Sequence, residues 1–189
     1  MDWRLLNAAA TGDISILDLT TFHQSEFEQR TPQNNNGDTP LHVAASVGSF
    51  EVSKLFVNSA NQVTSDVENR GLSVTRKQLL RNTNKQNDTA LNVALKNRHV
   101  DVAKFFVEED TGLLMLDMAN SNFVSPLYLA IERGLFNIAN NILEISPLVS
   151  CKGPKGMNAL HAAVDSDIVS TGNRLHISFY IDFSQSFAL

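Results

Sequence analysis

The sequence contains a single cysteine, Cys151, in 189 residues. With no second cysteine there is no disulfide within the chain and no all-cysteine zinc site, and a reducing compartment fits. Basic residues are outnumbered, 15 Lys and Arg against 20 Asp and Glu, for a formal net charge of −5. That balance argues against a nucleic-acid partner, because binding to a phosphate backbone works through clustered Lys and Arg that release counterions. Long apolar runs are missing as well. No stretch reaches the ~18–20 residues that a membrane-spanning helix needs, and the longest uncharged candidates are broken by Asp117, Glu144 or Asp182, or diluted by Asn and Ser. The chain is therefore expected to be soluble and to hold no membrane span. The opening MDWRLLNAAATGD has an acid at position 2 and no uninterrupted apolar core, so it does not read as a secretory signal. The Asn87-Asp88-Thr89 sequon then reads as an accidental match within a turn.

What is present is a repeated pattern. Hydrophobic residues make up 43% of the chain, enough for a sizeable core. The stretch NNNGDTPLHVAASVGSFEVSKLF, residues 34–56, predicts one complete helix–turn–helix unit. Asn36-Gly37 reads as a tight turn, and Thr39 can cap the amides of a helix begun by Pro40, whose missing N–H costs nothing in a first turn. Ala44 and Ala45 permit close approach of a neighbouring helix. Gly48 can take the left-handed conformation that ends a helix, and Phe50, Val52, Leu55 and Phe56 lie on the next one. One such hairpin cannot bury its own apolar face, so it should recur.

It does recur. Leu41 has counterparts at Leu5 in RLLNAAATGDISILDL, Leu91 in TALNVALKNRHVDVAKFF, Leu127 in SPLYLAIERGLFNIANNIL and Leu160 in NALHAAV, at spacings of 36, 50, 36 and 33 residues. A period near ~33 is that of ankyrin repeats, and TPLHVAASVG resembles the ankyrin signature, with NALHAAV, TALNVAL and SPLYLAI as weaker copies. The resemblance spans Asp2 to about Val169. SPLYLAIERG, an Ile-Leu helix and GPKGMNALHAAV together resemble, more narrowly, the plant ankyrin-repeat membrane proteins of the accelerated-cell-death type.

The resemblance implies an all-α fold, an α-solenoid of ankyrin helix–turn–helix repeats. A domain at 1–169 would hold five of them, near 2–20, 34–58, 84–107, 120–143 and 153–169, with an insertion at 59–83. The first repeat has Arg4 for the proline and Leu6 for the histidine, as a terminal unit with one face in water can. A polar Gln/Asn-rich finger, 22–36, follows it. Within the insertion, residues 72–81 read as an extra helix with Leu72, Leu79 and Leu80 packing back, after a long polar loop. Three positions depart from the repeat pattern: Asn87 stands for the turn glycine, Arg98 for the helix-ending glycine, and Phe123 for a turn glycine, so the Phe123 turn is expected to be of another type with its ring exposed. The apolar run 112–118 is expected to fold under the stack. The tail 170–189 abandons the helix period, alternates Ile177, Phe179, Ile181 and Phe183 with no evident partner strand, and is expected to be disordered or a truncated end.

The chemical candidates are few. His42 and His161 occupy the same place in two distant repeats, and helices ~8–10 Å apart put them beyond a shared metal ligand sphere. The resemblance implies that this imidazole hydrogen-bonds backbone in the turn. No motif places a histidine beside Cys151, which reads as a bystander thiol. Gly153-Pro154-Lys155-Gly156 lacks the spacing and the Lys-Ser/Thr of a P-loop. Glu108, Glu109 and Asp110 read as a solvated helix end, although the helix dipole disfavours anions there. Arg70, Arg76, Lys77, Arg81 and Lys85 read either as a docking patch for an acidic partner or anionic membrane, or as a solvated helix face, the commoner outcome of such spacing. No catalytic residue, cofactor, metal or small-molecule substrate is expected.

Surface remains. In ankyrin stacks the turn tips and the exposed positions of the first helix line a concave groove that binds another protein. The resemblance assigns to it Asn35, Asn36, Asp38, Ser46 and Val47, then Lys85, Gln86, Asp88, Lys96 and Asn97. It adds Ser121, Asn122, Val124, Glu132 and Arg133, and finally Pro154, Lys155 and Met157. Their mixed polarity suits a protein partner. The implied role is an interaction scaffold or, on the narrower resemblance, the cytosolic regulatory portion of a plant immune-signalling membrane protein. Its place would be the cytoplasm, including the inner face of the plasma membrane.

Overall fold

The computed structural model describes residues 3–16, 33–59, 76–110 and 117–165. The Gln/Asn-rich finger up to residue 32, Leu72 and the polar loop before it, Arg70, most of the apolar run 112–118, and everything from 166 to the tail lie outside the described residues.

Three helices begin from one local device. Thr39, Thr89 and Ser125 hold extended backbone, with φ −76°, −79° and −80°, immediately before α2 (Pro40–Val47), α5 (Ala90–Lys96) and α7 (Pro126–Glu132). The hydroxyls of Thr89 and Ser125 accept the N–H of Asn92 and Tyr128, satisfying one of the amides that a helix start leaves without a partner. These three helices, with α1 (Trp3–Thr11) before them and α9 (Ala159–Asp165) after them, form an inner row in which each packs on the next. Ala8, Ala44, Ala94 and Ala130 are fully buried between them, and Leu5, Leu41, Leu91 and Leu127 fill the same level of the core. Small side chains at one level and leucines at the next allow the helices to approach without leaving voids.

The outer row consists of α3 (Phe50–Ser59), α6 (Val100–Glu109) and α8 (Phe136–Ile145), each packed on its inner partner and on its outer neighbour. Val52, Phe56, Val102, Phe106, Ile138 and Ile142 face inward, all essentially inaccessible. Phe50 and Phe105 meet edge-to-face at 5.6 Å across two outer helices. Residues 14–16 form a single 3-10 turn after α1.

The reversal between inner and outer helices has one geometry throughout. Gly12, Gly48 and Gly134 have φ of 72°, 74° and 72°, and Arg98 at the equivalent place has φ 62°. At Gly48 the requirement is double, because a Cβ there would also run into the ring of His99, which closes over it and shares a hydrogen bond between Nε2 and the Ser46 carbonyl, 3.0 Å. Arg98 keeps the left-handed backbone despite its side chain. Its guanidinium donates through Nε and Nη2 to the Arg133 carbonyl at 3.1 and 2.7 Å, a bond between successive units that offsets the strain.

The Phe123 turn corrects the expectation. It is the same turn as the others, with φ 61° against 77° at Gly37 and 57° at Asn87. Its N–H reaches the Asn120 carbonyl at 2.8 Å just as Gly37 N–H reaches Asn34. The ring is 72% exposed.

Within the insertion, α4 (Arg76–Arg81) packs against α3 and α5 and buries Leu79 and Leu80 as expected.

Candidate protein-binding surface

Three turns on the ridge are each built around one asparagine. Asn34 Oδ1 accepts the N–H of Asn36 and Asp38, Asn84 Oδ1 those of Gln86 and Asp88, and Asn120 Oδ1 those of Asn122 and Val124, all at 2.8–3.1 Å. The side-chain amide then points backwards. Asn84 Nδ2 donates to Asp38 at 2.7 Å and Asn120 Nδ2 to Asp88 at 2.9 Å. Between tips, Lys85 N–H donates to the Asn36 carbonyl and Ser121 N–H to the Gln86 carbonyl. The tips are thereby fixed in register before any ligand arrives, which lowers the ordering cost of binding.

His42 joins this network. It is buried, and its Nε2–H donates to the Asp88 carbonyl of the next turn at 2.9 Å. Nδ1 is then the acceptor for Thr39, 2.8 Å from the hydroxyl. Burial pushes the imidazole below its ordinary 6.5, against the raising influence of the Asp88 carbonyl and of the Asp38 and Asp88 charges. His161, in the equivalent place of the last unit, is exposed and bonded to Asn158 through Nδ1.

Two substitutions at the histidine position behave differently. Tyr128 fills it with a ring that lies over Gly153, where a Cβ would clash, so glycine and tyrosine are fitted to one another. Asn92 fills it badly: it is fully buried, and neither its Oδ1 nor its Nδ2 has a partner among the described residues.

The expected surface residues divide into two groups. Asn35, Asn36, Ser46, Val47, Lys85, Gln86, Asn97, Ser121, Asn122, Glu132, Lys155 and Met157 are exposed, while Asp38, Lys96, Arg133 and Pro154 are half-buried. Asp88 and Val124 are corrections. Asp88 is 4% exposed, because its carboxylate holds the Asn120 amide and the Lys96 ammonium while its carbonyl takes His42. Val124 is buried in the next turn at the level of Asp88. Lys96 is correspondingly turned inward, and Asp38 is tied by two asparagines.

The acidic triplet and the basic insertion meet in two ion pairs, so Glu109, Asp110, Arg76 and Arg81 are not a solvated face. Asp110 is fully buried at the end of α6 and receives Arg81 in a two-point bond, Nε to Oδ2 at 2.8 Å and Nη2 to Oδ1 at 3.0 Å. Arg76 pairs with Glu109 and lies 3.4 Å from Asn58 at the end of α3. Helix α4 thus bridges two outer-helix ends with the charges that looked available for docking. Lys77 remains exposed, as does Glu108.

In the sequence Phe123 and Arg98 are only departures from the repeat pattern, and nothing there marks Lys152, which is exposed beside the last turn. A non-glycine residue at a glycine position was the available signal. Among the described residues, no cluster of His, Cys, Asp and Glu could hold a metal, and no helix is long and apolar enough to cross a membrane.

The family model described as ankyrin repeats, in three copies, matches residues 5–113. No curated protein matches the chain.

Proposed function

The chain belongs to the ankyrin-repeat family, whose repeats generally mediate protein–protein interaction, and from that premise we propose that it is a scaffold that binds a partner protein through its turn ridge and inner-helix ends. Ankyrin repeats are typically non-enzymatic, and this reading assigns the chain no chemistry. The domain would comprise the five units near 2–20, 34–58, 84–107, 120–143 and 153–169. One observation carries the proposal: the buried polar groups of the tips bond to one another, leaving Asn35, Asn36, Gln86, Ser121 and Asn122 exposed in a fixed series. Proximity labelling in the native cell should therefore lose its main labelled proteins when Val47, Gln86, Ser121 and Asn122 are together replaced by alanine, with helical circular dichroism unchanged. Labelling that survives intact would move recognition to the outer helices or the insertion.

A narrower reading rests on SPLYLAIERG and GPKGMNALHAAV, which resemble the accelerated-cell-death proteins. On it the chain is a regulatory portion of a plant immune-signalling membrane protein, held on the cytoplasmic side of the plasma membrane. A transcript that continues into apolar helices would support this, and a fluorescent fusion excluded from membranes during an immune response would count against it.

A further inference from the structure

The chain is acidic as a whole. The outer helices expose Glu51, Asp101, Glu108 and Glu144 together with Lys54 and Lys104. Glu132 is exposed at an inner-helix end beside Arg133, while the carboxylates of the turns are already engaged. Asp38 accepts from the Asn34 and Asn84 amides, Asp88 is buried against Asn120 and Lys96, and Asp117 accepts the Ser150 N–H. The ridge cations are not neutralised in the same way. Lys85, Lys152 and Lys155 are exposed, and among the described residues none has a carboxylate within ion-pair distance; the Lys85 ammonium rests on the Asn35 carbonyl at 2.8 Å. Arg98, at the other end of its inner helix, donates to the Arg133 carbonyl and has no carboxylate within ion-pair distance among the described residues.

Phe123 stands among these cations. The Ser121 N–H bonds to the Gln86 carbonyl on one side and the Ser125 N–H to the Lys152 carbonyl on the other, so the Phe123 tip is flanked by the Lys85 tip and the 152–157 turn. Its ring is 72% exposed on left-handed backbone, and Met157 on the neighbouring turn is 37% exposed. A glycine occupies the same position at Gly37 without strain. An aromatic residue that strains its backbone and leaves most of its surface in water destabilises the free chain, and such outliers gather at ligand-contacting sites.

We propose that the ridge binds an acidic peptide segment of a partner protein, with one apolar side chain of that segment seated on Phe123 and its carboxylates meeting Lys85, Lys152 and Lys155. This rests on the groove reading above and adds the partner's chemistry. Aromatic anchors ringed by polar contacts dominate protein interfaces, and complementary charge sets register and the rate of encounter. The exposed Gln86, Ser121 and Asn122 between the cations supply the donors and acceptors that a peptide backbone requires and a lipid surface does not.

The test is selection of a displayed library of random linear peptides on the full chain, followed by fluorescence polarisation with the enriched peptides. They should carry net negative charge and an apolar residue, and bind more weakly as salt is raised. Affinity should fall by about tenfold or more with Phe123→Gly, the size of a lost anchor, and likewise with Lys85→Glu plus Lys155→Glu. Phe123→Gly should at the same time raise the melting temperature, which separates a lost anchor from a damaged fold. Enriched peptides that are neutral or basic, yet lost on Gln86→Ala plus Ser121→Ala, would overturn the acidic partner and leave the groove standing. Peptides held equally by every ridge variant, or no enrichment at all, would overturn both. Binding to phosphatidylserine vesicles without binding to acidic peptides would replace the peptide by a membrane surface and overturn the proposal.

Discussion

Asn92→His should make this protein more stable, against the usual direction of core substitutions. Asn92 is fully buried on α5 with neither polar atom of its amide paired among the described residues, and each such atom costs about 1–3 kcal/mol of lost hydration. His42 at the same place in α2 shows what satisfies the site: Nδ1 faces the Thr39 hydroxyl and Nε2 the carbonyl of the next turn. A histidine at 92 would find Thr89 and the Val124 carbonyl in those roles, since Val124 occupies the level of Asp88 and accepts the matching backbone bond from Asn120. Allowing for the extra volume of the ring, the net gain is about 2 kcal/mol. For a chain of this length that corresponds to roughly 4–8 °C in melting temperature. Differential scanning calorimetry and a urea titration at pH 7.5 would read it, with His42→Asn as the mirror variant, expected to lose a similar amount. If Asn92→His is neutral or destabilising while Asn92→Leu stabilises, the site wants an apolar side chain and the transferred hydrogen bonds do not form.

Leu41→Ala should cost about 2–5 kcal/mol, the range for an emptied core site, whereas Asn36→Ala on the exposed tip should change little; equal shifts in urea midpoint would contradict the register of the stack. Arg81→Ala should cost about 2–4 kcal/mol because it takes a two-point charged bond away from the fully buried Asp110, and Arg76→Ala under about 1 kcal/mol, its pair with Glu109 being partly in water; the reverse order in thermal melts would refute the clamp described here. The native pKa of His42 lies below 6.5, so the unfolded chain binds more protons over that interval. Its contribution to stability is therefore full above pH 6.5 and is lost as pH falls from 6.5 toward the lowered native value. His42→Asn should flatten that part of the stability–pH curve, and an unchanged slope would show that the imidazole is not held neutral.

The elements that could be read from the chain alone are those whose cause is local. Thr39-Pro40, the Leu41 level, the alanines and Gly48 act within one or two helical turns, so their residue types announce the helix start, the core level and the stop. Leu79 and Leu80 packing back from an inserted helix could be read in the same way. The candidate face was legible as a set of tips, but its membership was not. Asp88 looks like its neighbours in sequence and is withdrawn from the surface only because Asn120 and His42, at separations of 32 and 46 residues, reach it in the folded stack. The two arginines of α4 are spent on Glu109 and Asp110 for the same reason, since Arg81 and Asp110 are 29 residues apart and meet only when α4 lies against α3 and α5. Phe123 marks the same limit for the backbone. Its intrinsic preference is against left-handed φ, but Asn120 and the packed turns on either side impose that conformation on it. A bond inside a turn depends on the order of residues along the chain, whereas a bond between turns depends on the rise from one unit to the next, and that rise exists only once the helices are stacked.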